Sequence, residues 1–153
     1  NLPYSDFQPG RADPAPLRAA GETFAPTVCY EDAYGSEQLG LVRQSSLLVN
    51  VTNDAWFGDS TAPHQHLDIS RMRALESGRA MLRATNDGVT ALIGHDGALL
   101  GTLPQFQPGV LTGEVQPRTG LTPYVRFGNW PILAVLWLGL AVIVVSYRRS
   151  IRR

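Results

Sequence analysis

The sequence contains no lysine, so all 13 of its basic residues are arginine. Four of them, Arg148, Arg149, Arg152 and Arg153, fall within the last six residues. The first 147 residues therefore carry nine arginines against all 13 acidic residues, and the formal net charge of zero divides into an acidic body and a basic tail. Because such a body lacks the clustered cations that neutralise phosphates, a basic nucleic-acid-binding domain is excluded.

Cysteine is the second scarce residue type. Cys29 is the only one, so an internal disulfide is excluded, and its thiol is either an inert buried side chain or a reactive group. An initiator methionine and a signal peptide are also absent, and nothing else in the sequence accounts for transport of the body across a membrane. We therefore expect the chain to be a segment of a longer protein.

Charge is absent from residues 130–147, which are mostly apolar. In a helix with a rise of 1.5 Å per residue this run spans about 27 Å, close to the thickness of a bilayer core. We predict a transmembrane helix, because the alternative of a buried core helix is typical of shorter runs. By the positive-inside rule, the tail at 148–153 is then cytoplasmic and residues 1–129 form a domain on the opposite face.

The remaining patterns predict a layered α/β body. Residues 1–26 are rich in proline and glycine and are expected to form a surface loop, followed by a short strand that ends at Val28. The later elements, in chain order, are a short helix capped by Ser36, a buried strand at 47–51, a helix from His64 or Gln65 to about Ala84, a hairpin over 89–103 and a strand at 110–115.

The long predicted helix has an ambiguous polar face. Its inward side is assigned to Ile69, Met72, Leu75 or Glu76, and Ala80. This segment carries four arginines, Arg71, Arg73, Arg79 and Arg83, which form no single stripe. A solvated face with one or two ion pairs is therefore favoured over a lipid-headgroup site.

Cys29 stands where the predicted strand enters a turn. A nucleophile in this position projects clear of the sheet, and the next backbone N–H can point toward a bound carbonyl oxygen. On spacing alone, a buried structural cysteine remains the alternative.

Several motifs, in order along nearly the whole chain, resemble the C-terminal part of bacterial apolipoprotein N-acyltransferases. These enzymes are membrane-embedded members of the nitrilase superfamily. The motifs are Cys29-Tyr30-Glu31, NDAWFG at 53–58, RMRALE at 71–76, TNDG at 85–88, PQF at 104–106, TGLTPY at 119–124 and GNWP at 128–131. Each motif alone is weak, whereas the first two together with RMRALE and TGLTPY form a specific combination.

The resemblance implies a partial nitrilase-like αββα sandwich followed by one transmembrane helix. It implies transfer of an acyl chain from a phospholipid to the N-terminal amine of an apolipoprotein, at the periplasmic face of the bacterial inner membrane, without cofactor or metal. Cys29 falls on the nucleophile position of a Glu-Lys-Cys triad. Tyr30 and Glu31 match positions that shape the oxyanion site and the pocket.

The same resemblance, with the position at the end of a strand, favours a substrate-binding role for four further residues: Asn53, Asp54, Trp56 and Phe57. For the two aromatic residues, packing on the core is the alternative. The triad lysine has no counterpart in these residues, and Glu22, the only glutamate before Cys29, lies in the predicted loop. We therefore expect the rest of the enzyme to supply both triad partners and expect this segment alone to be inactive.

Three other interpretations stay open at this point. One is a membrane-tethered amidohydrolase of the nitrilase type, which would deliver its thioester to water. Another is an anchored binding module without catalytic activity. A metal site at His64, His66 and Asp68 is disfavoured, because residues two apart at a helix start point in different directions.

Overall fold

The computed structural model describes residues 14–151. The first half of the predicted N-terminal loop and the tail residues Arg152 and Arg153 lie outside this range. Six strands form one mixed sheet in the order of the sequence. They are β1 (Leu17–Ala19), β2 (Glu22–Val28), β3 (Leu47–Asn53), β4 (Met81–Asn86), β5 (Ala91–Ile93) and β6 (Leu99–Thr102). The central strands β2, β3 and β4 run parallel, and each outer pairing is antiparallel.

Four helices accompany the sheet in the described part of the chain: α1 (Leu39–Val42), α2 (Ala62–Ser77), α3 (Pro123–Phe127) and α4 (Trp130–Ile151). Short 3-10 turns at Cys29–Ala33 and Ala55–Phe57 follow β2 and β3. The predicted α/β class is confirmed. The helix expected to be capped by Ser36 begins later than predicted. It starts at Leu39, so its N-cap residue is Gln38, whose side chain makes no capping hydrogen bond.

The prediction that residues 1–26 form a loop was wrong for residues 17–26. β1 and β2 form a hairpin whose turn residues, Ala20 and Gly21, both have positive φ values of 51° and 81°. Two successive positive φ angles match the twist of a tight hairpin, so a glycine-containing segment that resembles a loop can connect two strands here.

The prediction that one helix runs to about Ala84 was also wrong. α2 ends at Ser77, because Gly78 adopts a left-handed conformation with φ 65°. The residues that follow form β4, which pairs in parallel with β3 from Leu48↔Met81 to Asn53↔Asn86. Their helix-forming residue types are overridden by pairing in the centre of a sheet.

The buried face of α2 differs from the predicted one. Met72 and Leu75 are about half exposed, whereas the face that packs on the sheet contains Pro63, His66, Leu67, Ser70, Ala74 and Ser77. Three of these six residues are polar, which is why hydrophobic periodicity pointed to the wrong side. The apolar part of this layer contacts Leu48, Met81 and Ile93 in the core.

The predicted hairpin around Asp96 and Gly97 is confirmed as β5 and β6. The strand predicted at 110–115 is wrong, because these residues form no ladder. Residues 109–113 instead line a cavity of about 590 Å³ together with Val49, Leu82 and Leu92 on the face of the sheet opposite α2.

That second face of the sheet is apolar and only partly covered. Pro26, Val49, Leu82 and Leu92 align across four strands. At its edge, Val51 is 46% exposed. A sheet with one face under helices and an apolar face open is half of the sandwich that the resemblance implies.

α4 has 22 residues and is the one helix in residues 14–151 that is long and apolar enough to cross a membrane. None of its residues is buried. Asn129 immediately precedes this helix, Pro131 occupies its first turn, and Arg148 and Arg149 lie in its last turn. These features agree with the predicted membrane-spanning character of the segment.

Candidate functional site

Cys29 is the first residue of the turn that follows β2. It is partly buried and has a φ of 53°, a left-handed conformation that is uncommon for a residue other than glycine. The carboxyl ends of β2, β3 and β4 meet at this edge of the sheet, since the three strands are parallel. The strand-to-turn position predicted for Cys29 is confirmed.

Two side chains bind the backbone around Cys29. The N–H of Val28 donates to Glu31 Oε2 at 2.7 Å. On the other side, Asn50 Nδ2 donates to the carbonyl oxygen of Cys29 and to Thr27 Oγ1, both at 3.0 Å. The elbow, residues 28–31, is therefore held from its own turn and from β3.

A buried ion cluster lies beneath this elbow. It consists of Asp32 in the turn, Asp54 after β3, His66 and Ser70 on α2, and Arg83 on β4, and Asp32 and Asp54 have no exposed surface. Arg83 Nη2 donates to Asp54 Oδ2 at 3.0 Å, and Arg83 Nη1 donates to Ser70 Oγ at 2.8 Å. Ser70 Oγ in turn donates to Asp32 Oδ2 at 2.5 Å. The cluster joins four elements.

His66 lies between the two carboxylates. Its Nδ1 is 2.9 Å from Asp54 Oδ1 and its Nε2 is 3.1 Å from Asp32 Oδ1. Both neighbours are acceptors, so both ring nitrogens must donate, which requires the protonated imidazolium. The hydrogen bond with Asp32 raises the pKa of His66 above 6.5; burial and the charge of Arg83 lower it, and Asp54 raises it further. The carboxylates of Asp32 and Asp54 thus face two cations, His66 and Arg83.

The raised pKa of His66 predicts that stability falls at alkaline pH. The extra stability is fully present below the unfolded-state value of about 6.5 and is lost as the pH rises through the folded-state pKa, with a slope of up to about 1.4 kcal/mol per pH unit. Thermal unfolding of the detergent-solubilised protein between pH 6 and 10 measures this. In His66→Asn the slope should disappear, whereas His64→Asn, at an exposed position of the same helix, should keep it. Parallel curves for wild type and His66→Asn would contradict the imidazolium assignment.

Arg79 and Arg83 do not belong to a solvated face, which corrects the sequence-based interpretation for these two residues. Arg79 is buried and donates to the carbonyl oxygens of Ser45, Ser77 and Gly120. Burial lowers the pKa of Arg83, and the charges of Asp54 and Asp32 act in the opposite direction.

The other two arginines of the set form ion pairs on α2, each with an N–O distance of 2.9 Å. Arg71 pairs with Asp68 at the surface, whereas Arg73 pairs with Glu76 in a largely buried position, where burial raises the pKa of Glu76.

The residues predicted to shape the pocket or bind substrate fall into two groups. Tyr30, Glu31 and Asn53 are exposed at the same edge of the sheet as Cys29. Asp54 is fully buried, and its carboxylate accepts from Thr52, His66 and Arg83. The structure therefore places Asp54 in the ion cluster, with its oxygens bound to protein groups.

Trp56 and Phe57 lie in the 3-10 turn after β3. Trp56 is 84% exposed and Phe57 is 48% exposed, so neither aromatic ring is part of the core of the described chain. The turn is held by Asn53, whose Oδ1 accepts from the N–H of Ala55 and from Asn86 Nδ2. A role of these rings in substrate binding stays a prediction.

From the sequence, the only role suggested for His66 is that of a disfavoured metal ligand. In the structure its ring binds the two carboxylates, and within residues 14–151 no group of three or more potential ligand side chains is arranged around a common point. Two cluster residues, Asp32 and Ser70, were missed, and so was Asn50, which accepts from Arg83 of the cluster. One signal was available, because Asn50 is a single polar residue in the otherwise apolar run LLVNV.

Comparisons with known proteins bear on this site. The family model described as carbon-nitrogen hydrolase matches residues 7–124. The chain is 53% identical over 145 residues to a protein of Azotobacter vinelandii and 49% identical over 154 residues to one of Ralstonia nicotianae, both named apolipoprotein N-acyltransferase. The matches cover 94% and 98% of this chain. The chain spans less than a third of these relatives, 28% and 29% of their respective lengths.

Among solved structures, the chain resembles a mutant of the amidase from Nesterenkonia sp. AN1, which carries the acetamide moiety of fluoroacetamide at its active-site cysteine. The TM-score is 0.55 at 27% identity, covering 67% of this chain and 41% of the amidase. A related structure of that amidase is described as a member of the nitrilase superfamily. The half-sandwich fold and the family match lead to one assignment: the chain belongs to the carbon-nitrogen hydrolase family of the nitrilase superfamily.

Proposed function

We propose that this chain is the nucleophile-bearing part of a membrane-embedded apolipoprotein N-acyltransferase. The observation that carries the proposal is the placement of Cys29 in a left-handed elbow at the carboxyl end of β2, directly followed by Tyr30 and Glu31. Relatives with this enzyme name match nearly the whole chain at about half identity. The activity, the substrates and the membrane location belong to this proposal.

The reaction would proceed in two steps. In the first step, a base removes the proton of the Cys29 thiol, and the thiolate attacks the ester carbonyl carbon of a phospholipid. The thioester C–S bond forms, the ester C–O bond breaks, and the lysophospholipid leaves with the proton that the base returns. In the second step, the N-terminal amine of a diacylglyceryl-modified apolipoprotein attacks the thioester; an amide forms and the thiol is regenerated. The N–H of Tyr30 would bind the oxyanion in both steps, since first-turn N–H groups lack a partner within the turn.

This chemistry needs a base for the proton of the Cys29 thiol, and the Glu-Lys-Cys triad implied by the resemblance also includes a lysine. The sequence contains no lysine, so the triad lysine and glutamate would come from another part of the enzyme. That part would cover the apolar face of the sheet around Val49 and Leu82 and would reach the edge where Cys29 lies. The chain is then one half of a shared active site.

The membrane helix supports a lipid substrate. Moving an acyl chain out of a bilayer costs about 0.8 kcal/mol per methylene, so a site tethered at the membrane can receive its donor by lateral diffusion. With the arginine tail in the cytoplasm, the domain at 1–129 would face the periplasm, across the inner membrane. Trp56 and Phe57, exposed at the same edge of the sheet as Cys29, would contact the acyl chain or the membrane surface.

A second candidate is an amidohydrolase that releases the acyl group to water. The structural similarity to an amidase with a modified active-site cysteine favours this alternative. Both candidates share the acyl-cysteine and differ in the acceptor.

The deciding experiment follows the acyl group. The full-length protein that carries this chain is incubated with a phospholipid bearing an isotope-labelled acyl chain, and the Cys29 peptide is examined by mass spectrometry. We expect a labelled thioester that disappears when a diacylglyceryl lipopeptide is added, with the label recovered as an amide on the peptide. Label recovered only as free fatty acid would identify the hydrolase, and the absence of an adduct at Cys29 would overturn both candidates.

A further inference from the structure

The backbone conformation of Cys29 has to be held by its surroundings. A left-handed φ in a residue with a side chain costs about 1 to 3 kcal/mol and persists only where neighbouring contacts impose it. The contact from outside the elbow that reaches Cys29 itself comes from Asn50, whose amide donates to the Cys29 carbonyl oxygen. Asn50 has no exposed surface and lies opposite Thr27 in the parallel pairing of β2 and β3.

The orientation of the Asn50 amide is fixed by Arg83. Arg83 Nη1 lies 2.6 Å from Asn50 Oδ1, and a guanidinium can only donate. The oxygen of the amide must therefore face Arg83, which turns both N–H groups toward Thr27 and the Cys29 carbonyl. A carbonyl and a hydroxyl on that side are both able to accept, so both polar atoms of the Asn50 amide have partners of the correct kind.

Arg83 is itself held in place by the ion cluster. Its other contacts are Asp54 Oδ2 at 3.0 Å and Ser70 Oγ at 2.8 Å, and Asp32 Oδ2 lies 3.6 Å away. Its side chain has no exposed surface. A continuous chain of hydrogen bonds thus runs from the cluster through Arg83 and Asn50 to the backbone of the nucleophile.

We propose that Asn50 and Arg83 are positioning residues for the nucleophile, holding Cys29 in its left-handed conformation through its carbonyl oxygen. Neither residue touches substrate in this role. The inference rests on Cys29 being the nucleophile and is independent of whether the acyl acceptor is an amine or water.

The test uses a substitution that removes the donor while keeping the shape of the side chain. In the full-length protein, Asn50→Asp keeps an oxygen for Arg83 but cannot donate to Cys29 in its ionised form. We expect kcat for acyl transfer to fall about 10- to 100-fold per folded enzyme, with KM within about twofold, because small displacements of a reacting group have effects of this size. Alkylation of Cys29 by iodoacetamide, followed across pH 6–10, should slow by about tenfold at neutral pH.

Thr27→Val is the matched control. It removes the second acceptor of the same Asn50 amide and keeps the shape of the side chain, so it should lower the unfolding temperature while leaving kcat and the alkylation profile close to wild type. Asn50→Gln, which retains the donor on a longer side chain, should recover part of the activity lost in Asn50→Asp.

The outcomes separate the two proposals. Wild-type kcat and alkylation in Asn50→Asp, or equal losses in Thr27→Val, would overturn the positioning role. Alkylation could slow in Asn50→Asp and not in Thr27→Val, while the protein forms no adduct with phospholipid. This result would support the positioning role and reject the acyl donor of the proposed function.

Discussion

Substitution of Arg83 by methionine is expected to destabilise the folded domain by about 3 to 5 kcal/mol. The change leaves Asp32 and Asp54 buried with His66 as their remaining cation, and removal of one partner from a buried ion pair has effects of this size. Urea unfolding of the detergent-solubilised protein, followed by circular dichroism, measures the loss.

Two further variants sharpen this prediction. Arg71→Met removes an exposed pair, with side chains 43% and 68% exposed for Arg71 and Asp68, and should cost less than about 1 kcal/mol. Adding Asp54→Asn to Arg83→Met removes one uncompensated charge and should restore part of the lost stability. If Arg83→Met cost no more than Arg71→Met, the cluster would not be a determinant of stability.

Replacement of Cys29 by alanine is expected to lower acyl transfer by about 10⁴-fold or more, since loss of the nucleophile in a multi-residue catalytic unit removes nearly all of its rate acceleration. Cys29→Ser should also be strongly impaired, because a hydroxyl is a much weaker nucleophile at neutral pH. The assay follows labelled acyl chain from phospholipid to lipopeptide with the full-length protein.

The fold should survive these changes. Cys29 is small and partly exposed, so neither variant creates a large buried cavity, and the unfolding midpoint should remain close to that of the wild type. Retention of lipopeptide acylation by Cys29→Ala would contradict the assignment of Cys29 as the nucleophile.

Local patterns in the sequence were sufficient for several features. Short windows encode the strand end before Cys29, the turn that follows it, the hairpin around Asp96 and Gly97 and the apolar run from Trp130. The resemblance of the motifs located the chain within a superfamily, which the family match confirms. These predictions succeeded because each depends on neighbouring residues.

The errors have a common physical origin in long-range pairing. The residues of β4 have good helix propensity, and only pairing with β3 and β5 makes them a strand. The inward positions of His66 and Ser70 were not predicted either, because polar residues on the buried face of α2 lower the apparent amphipathicity of this helix. Propensity and periodicity do not report partners that are distant in the chain.

The sequence by itself determined that a single cysteine stands at a strand end, that the body is acidic, and that an apolar helix with an arginine-rich end follows it. The tertiary structure alone decided what surrounds that cysteine. The contacts from Asp32 to His66 and from Asn50 to Arg83 join residues 34 and 33 positions apart. Burial of such charges costs free energy unless each finds its partner, and only the packed sheet and helix bring those partners together.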